Sequence, residues 1–223
     1  MTKKPVARKA RGTTGGSDLE TQQRILDAAQ TVFIRRGTSG ARMSEIAQEA
    51  GVNQALLHYY FRSKERLSQA VFQQLATRLF PALFQTLASD ASLNEKIERI
   101  VALYLDNLSR SPFIPGYLLS ELHHHPERTS QLLTLAGGGD PTQIISPILE
   151  RLQRQIDDAV NAGTMRPITP QQFAVNIISL CIFPFAARPL IATVFSMDDA
   201  DFARFIDERK TELPKYIRAA LKP

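Results

Sequence analysis

Between Arg42 and Lys64 the chain reads RMSEIAQEAGVNQALLHYYFRSK. Ile46, Ala47 and Ala50 recur at helical spacing. Gly51 follows at once, and glycine leaves a helix through a left-handed conformation at little steric cost. Val52 resumes the apolar series, and Leu57 and Phe61 stand one turn apart. Two helices joined by a short glycine-containing turn make a helix-turn-helix. The spacing gives the second helix two faces. Leu57, Tyr60 and Phe61 fall on the side that packs on the first helix, and Asn53, Gln54, Ala55, His58 and Tyr59 fall on the other.

That outward face holds amide, imidazole and phenol groups and no carboxylate. An amide bonds an adenine edge twice, and alanine fits a thymine methyl. Phenol and imidazole donate to phosphate oxygens. The competing reading is a solvated face of an ordinary helical hairpin, which more often carries Glu and Lys than His and Tyr.

The block IAQEAGVNQALLHYYFRSKERL resembles the DNA-binding domain of the TetR family of one-component bacterial repressors, over about Thr21 to Leu67. The resemblance rests on IA, the AGV turn, the aromatic run ending in Phe61, and SKE followed by Leu67. It implies a homodimer that binds double-stranded operator DNA and lets go when a small molecule enters the C-terminal domain. Carried over by position, Gln54, Ala55, His58 and Tyr59 meet the DNA and Lys64 meets a phosphate. The full set expected at DNA is Asn53, Gln54, Ala55, Leu56 and His58 at bases, with Arg42, Ser44, Tyr59, Tyr60 and Lys64 at phosphates. Three residues depart from the family pattern. Leu56 stands where a small polar residue is common, His58 where Tyr is usual, and Arg42 where Ser or Thr often caps the first of the two helices. Leu56 can read a thymine methyl or simply shield the helix edge, so the operator does not follow from relatives.

Charge is placed unevenly. Residues 1–16 hold Lys3, Lys4, Arg8, Lys9 and Arg11 and no acid, while the whole chain of 223 residues carries a net +5. A localised basic patch is the electrostatic footprint of a nucleic-acid binder. These residues have almost no apolar side chains, and the composition predicts a disordered segment over 1–17. A solubilising tail and an arm laid on phosphates or in a minor groove both fit it. One cysteine excludes an internal disulfide and suits a reducing cytosol, so a cytoplasmic protein is expected. The basic N-terminus has no apolar core behind it, and no run approaches the ~18 apolar residues of a membrane span.

The remaining chain reads helical, so the fold class is all-α: a three-helix helix-turn-helix domain over 18–66, then a helical bundle over 67–223 for effector binding and dimerisation. Helix 1 is expected from Leu19 to Arg36, capped by Ser17 with Glu20 and stopped by Gly37, with Ile25, Ala29, Val32 and Phe33 as its stripe. A fourth helix is expected from Ser63 to about Phe80, where Pro81 breaks or kinks the pattern. Others follow over Leu93–Ser109, Gly116–His124, Pro126–Ala136 and Pro141–Ala162. Thr169 caps a very apolar helix that starts at Pro170, kinks at Pro184 and reaches Phe195, with Pro189 a second possible break. The last helix spans Asp198 to Leu221.

The last two long helices are apolar on more than one face, which fits either an internal core or a partner subunit. The family resemblance places a four-helix dimer interface there, with Ile177, Leu180 and Phe205 as candidates. Candidate effector-pocket residues combine apolar bulk with a few polar groups: Tyr104, Asn107, Phe113, Tyr117, His123 and Asn176. The effector expected is apolar or amphipathic, because these segments supply few buried-looking charges.

Other features carry less. His123, His124 and His125 are adjacent and point in different directions on a helix, so no metal site is expected. The Gly137–Gly139 run reads as a linker, since no GK[ST] follows it. Cys181 lies in an apolar helix and reads as core. No nucleophile elbow, phosphate loop or cofactor motif is present, so neither an enzyme nor a cofactor is expected. A single-stranded RNA module would show aromatic sheet motifs. Two alternatives stay open: a regulator without a small-molecule effector, and a helical enzyme or binding protein whose helix-turn-helix is only structural.

Overall fold

The structure, a computed structural model, describes residues 14–130, 134 and 140–223. Ten helices are bounded among them: α1 (Thr14–Gly40), α2 (Met43–Glu49), α3 (Gln54–Phe61), α4 (Lys64–Ala88), α5 (Leu93–Arg110), α6 (Ile114–His124), α7 (Pro141–Asn161), α8 (Pro170–Ala186), α9 (Arg188–Val194) and α10 (Asp199–Ala220). No strand occurs among the described residues, and the architecture is all-α. The chain divides into two compact units between Val71 and Phe72.

In the first unit α1 buries the expected stripe of Ile25, Ala29, Val32 and Phe33. Ile46 and Ala47 of α2 and Leu57 and Phe61 of α3 are buried with it. Each large side chain so buried contributes about 1.5–3 kcal/mol. Gly37 leaves the helical path at φ 68, ψ 160, where the sequence places the stop, although helical bonding resumes to Gly40. The start differs. α1 begins at Thr14, so Ser17 lies inside the helix instead of capping it, and residues 14–17 are helical rather than part of an arm. A nucleated helix gains one bond per residue added, so a good internal start signal need not set the boundary. The remainder of the basic arm lies outside the described residues, as do Gly137–Gly139 and much of the expected Pro126–Ala136 helix, of which residues 128–130 are helical.

The turn between α2 and α3 closes as a Schellman motif. The Val52 N–H donates to the Ala47 carbonyl at 3.0 Å and the Gly51 N–H to the Gln48 carbonyl at 3.1 Å. Gly51 sits at φ 63, the left-handed conformation this motif requires.

α4 corrects a second expectation: it runs through Pro81 to Ala88. A proline inside a helix costs about 3 kcal/mol. Leu83 and Leu87, both buried beyond it, each return about 1.5–3 kcal/mol, enough to carry the helix past the break.

In the second unit α5 is the hub, packing on α8 and α10, while α6 and α7 also pack on α8. A capping box starts α5: the Ser92 side chain accepts from the Glu95 N–H, and Glu95 accepts from the Ser92 N–H at 2.8 Å. Lys96 is fully buried, and its Nζ donates to the Leu87 carbonyl and to Gln155 Oε1, both at 2.7 Å. Burial holds this amine below the usual lysine range, Arg151 pushes it the same way and Asp90 opposes. Thr169 caps α8 as expected, accepting from the Gln172 N–H, with Pro170 in the first helical position. The apolar run then breaks at Ala187, between Pro184 and Pro189, and α8 and α9 meet at 69°. No single described helix is long and apolar enough to cross a membrane, though this bent pair passes by length and composition together.

Candidate nucleic-acid interface

α3 is set by its two ends. Asn53 caps it, Oδ1 accepting from the Leu56 N–H at 2.8 Å. Beneath it Leu57 and Phe61 are buried, so the helix is pinned along one side. On the other side Gln54, Ala55, His58 and Tyr59 are exposed, Tyr59 by 75%, and Leu56 is half-buried. Four of the expected DNA residues are thus brought to one solvent face of one helix that carries no acid. Arg42 and Ser44 are also exposed, at the start of α2, where Arg42 makes no side-chain cap.

Three of the expected contacts have other partners. The Asn53 carbonyl oxygen is held by its own cap, so the two-bond adenine pairing, which needs that oxygen and the amide N–H together, competes with the helix start. The Tyr60 hydroxyl donates its one proton to Asp18 Oδ1 at 3.1 Å. Desolvation, and next the Asp18 hydrogen bond, raise the phenol above its ordinary pKa. Lys64 Nζ donates to the carbonyls of Ser39 and Ala41, at 3.0 and 3.2 Å, and so ties the end of α1 to the start of α4. A cation suits the negative end of a helix dipole, and the sequence offers no sign that those carbonyls are near. His58 Nδ1 lies 3.4 Å from the Arg62 carbonyl; the tautomer that donates there leaves Nε2 free on the outward face.

The expected pocket residues do not gather. Tyr104 and Tyr117 are buried, Phe113 and His123 are exposed, and Asn107 Nδ2 donates to the Leu103 carbonyl in its own helix. Asn176 lines a cavity of about 350 Å³ with Phe173, Leu180 and Tyr216. A larger cavity, about 480 Å³, lies between α4 and α7 and is lined by Pro81, Phe84, Pro147, Ile148, Arg151 and Arg154 among others. Among the described residues no three His, Cys, Asp or Glu side chains converge as metal ligands would.

Of the three expected dimer residues, Ile177 is buried within the subunit, where it serves the core, while Leu180 and Phe205 are half-buried. The side chains left open are others: Val175 and Phe183 on α8, Leu190 and Val194 on α9, Phe195, and Tyr216 on α10, each more than half exposed. An α8 apolar all round hides which of its faces is turned inward, so the sequence signal could not separate Ile177 from Phe183.

Two family models match the chain. The one described as bacterial regulatory proteins, tetR family, covers residues 25–71. The one described as tetracyclin repressor-like, C-terminal domain, covers residues 94–210. The chain belongs to the TetR family. It is therefore a transcriptional regulator with a helix-turn-helix DNA-binding domain. Among TetR-family relatives, the HTH-type transcriptional repressor NicS of Pseudomonas putida KT2440 is 28% identical over 185 residues, 81% of this chain and 83% of that one. A TetR family transcription regulator from Marinobacter aquaeolei VT8 shares the fold at TM-score 0.63 and 18% identity, covering 92% of this chain and 97% of that one. The fold also matches a transcriptional regulator FadR from Bacillus subtilis in complex with stearoyl-CoA, at TM-score 0.53 and 16% identity, over 89% and 98% of the two chains.

Proposed function

We propose that the protein is a cytoplasmic homodimeric repressor that sets two copies of α3 in successive major grooves of a palindromic operator and is released by a small molecule. The observation that carries this reading is the acid-free, exposed face of Gln54, Ala55, His58 and Tyr59, held on a buried ridge of Leu57 and Phe61. Gln54 and His58 select bases through hydrogen bonds, and Ala55 and Leu56 select thymine methyl groups. Arg42, Ser44 and Tyr59 set register on phosphates. Asn53, Tyr60 and Lys64 act one step back, by holding α3 and its neighbours in place.

A reader eight residues long needs a second copy to specify a site. The exposed apolar side chains of α8, α9 and α10 supply a self-complementary surface for it. Repression follows the name of NicS, a relative matched over 81% of the chain. The cavity between α4 and α7 pairs apolar Phe84, Pro147 and Ile148 with Arg151 and Arg154, which suits an amphipathic effector, and the FadR structure holds a ligand of that kind. Such an effector acts by preferring the form that is off DNA; equal affinity for both forms would shift nothing.

Selection of bound fragments from random duplex DNA tests the reading. An enriched inverted repeat with half-site centres one helical turn apart, ~34–36 Å, or a multiple of it, is expected. Folded protein that enriches no sequence and binds no duplex in dilute salt overturns it.

A further inference from the structure

We infer that the cavity between α4 and α7 takes an amphiphile with an anionic head, a carboxylate or a phosphate, held by Arg154 together with Arg151, which gives up Asp90 to reach it. This rests on the reading of that cavity as the effector site.

The cavity changes character along α7. Apolar Pro147 and Ile148 line it first, and Arg151 and Arg154 line it one turn further on, about 5 Å away. Pro81 and Phe84 of α4 add to its apolar part. Residues three apart on a helix share a face, so the two guanidinium groups stand together. Glu150 is the only acid among the described lining residues, and it is exposed. Arg154 is exposed as well and has no ion-pair partner among the described residues. The volume of about 480 Å³ lies within the range of about 300–1,000 Å³ usual for small-molecule sites.

A third cation near Arg151 lacks a counter-ion of its own. Lys96 is fully buried, yet its Nζ donates to neutral acceptors, the Leu87 carbonyl and Gln155 Oε1, both at 2.7 Å. A buried charge without an opposite charge is costly. The one carboxylate that acts on it, Asp90, is already paired with Arg151 at 2.5 Å, and its side chain is 98% exposed. So exposed a pair holds weakly. An anionic head in the cavity offers Arg151 a bond that water screens less, and adds negative charge near Lys96. Gln155, one turn beyond Arg151, donates to the Ala91 carbonyl at 3.0 Å, so α7 grips the turn between α4 and α5 through both side chains. Moving Arg151 to the head loosens that grip where α4 ends. The ligand thereby gains the difference in affinity that a shift between two forms requires.

The test titrates the full chain by calorimetry with decanoate and decyl phosphate, and with decyl maltoside and decyltrimethylammonium as neutral and cationic counterparts, all below their micelle concentrations. At least one anion is expected to bind about tenfold or more tighter than the counterparts, and the tighter anion names the head. Equal binding of all the probes overturns the inference and leaves an effector site of another class. Failure of both anions to bind overturns it too, with the α3 reading intact. Arg154→Gln is expected to weaken the anions about 10- to 100-fold, the worth of a hydrogen bond to a charged group, without moving the melting temperature of the free protein. Unchanged anion affinity in that variant overturns the site. Asp90→Asn tests the exchange: anion affinity should rise, and the rise should vanish when Arg151→Gln is also present. An equal rise in both backgrounds is a general effect of charge and overturns the exchange. Anion binding with the expected pattern but no release of duplex DNA supports the inference and removes the effector reading.

Discussion

Lys64 can act in two ways that leave different marks. Its Nζ donates to the carbonyls of Ser39 and Ala41, so it closes the end of α1. Hydrogen bonds to a charged group contribute about 1.5–3 kcal/mol. Lys64→Met is expected to destabilise the protein by about 1–3 kcal/mol in denaturant unfolding, with DNA affinity falling equally on all sequences. A residue that only touched phosphate would instead leave stability unchanged and lower the salt slope by about one. The outward residues of α3 were readable from periodicity, because Leu57 and Phe61 fix which side is in. Asn53, Tyr60 and Lys64 were not, because their partners Asp18, Ser39 and Ala41 lie far off in sequence, or, for Asn53, because capping and base reading use the same amide. Buried Lys96 was missed for the same reason: nothing in its own neighbourhood announces Gln155, 59 residues away.

Helix ends repeat one solution at three places. Gly51 and Gly163 close Schellman motifs at φ 63 and 66. After α9 the same pattern recurs with Ser196 at φ 52, the Met197 N–H donating to the Ala192 carbonyl at 2.9 Å. A side chain in this conformation costs about 1–2 kcal/mol. A Cβ on Gly51 would meet no atom within 4 Å, so that conformational cost alone should appear in Gly51→Ala. Ser196→Gly is expected to raise stability, by up to about 1 kcal/mol after the added chain entropy. Opposite signs in a thermal melt are the check; a neutral Gly51→Ala would contradict the motif. The starts of α5 and α10 are held by Glu95 and Asp198. Each carboxylate is kept below its ordinary range, chiefly by backbone hydrogen bonds, from Ser92 and Asp201 respectively. A depressed carboxylate stabilises the fold above its unfolded pKa, ~4, and loses that contribution as pH falls through the folded value. Amide protection over residues 94–97 and 200–203 should therefore drop first on acidification, and pH-independent protection there would count against these caps. Most helices were readable to within a few residues. The path of α4 through Pro81 was not, because it depends on the burial of Leu83 and Leu87 and not on local propensity.

For the whole molecule the account needs two readers and one shared surface. Phe183, Leu190 and Val194 are more than half exposed, a poor arrangement for an isolated subunit. Phe183→Asp combined with Val194→Asp should yield a folded monomer by sedimentation, with site-specific affinity lost and weak non-specific binding retained. A folded dimer from that variant would move the interface elsewhere. The most direct measurement of the central claim compares the sites selected from random duplex DNA by the unmodified protein and by Gln54→Ala. The account predicts one symmetric pair of positions that loses its preference, each at a cost of ~1–3 kcal/mol, with the rest of the repeat unchanged. Identical preferences at every position in the two proteins would contradict it.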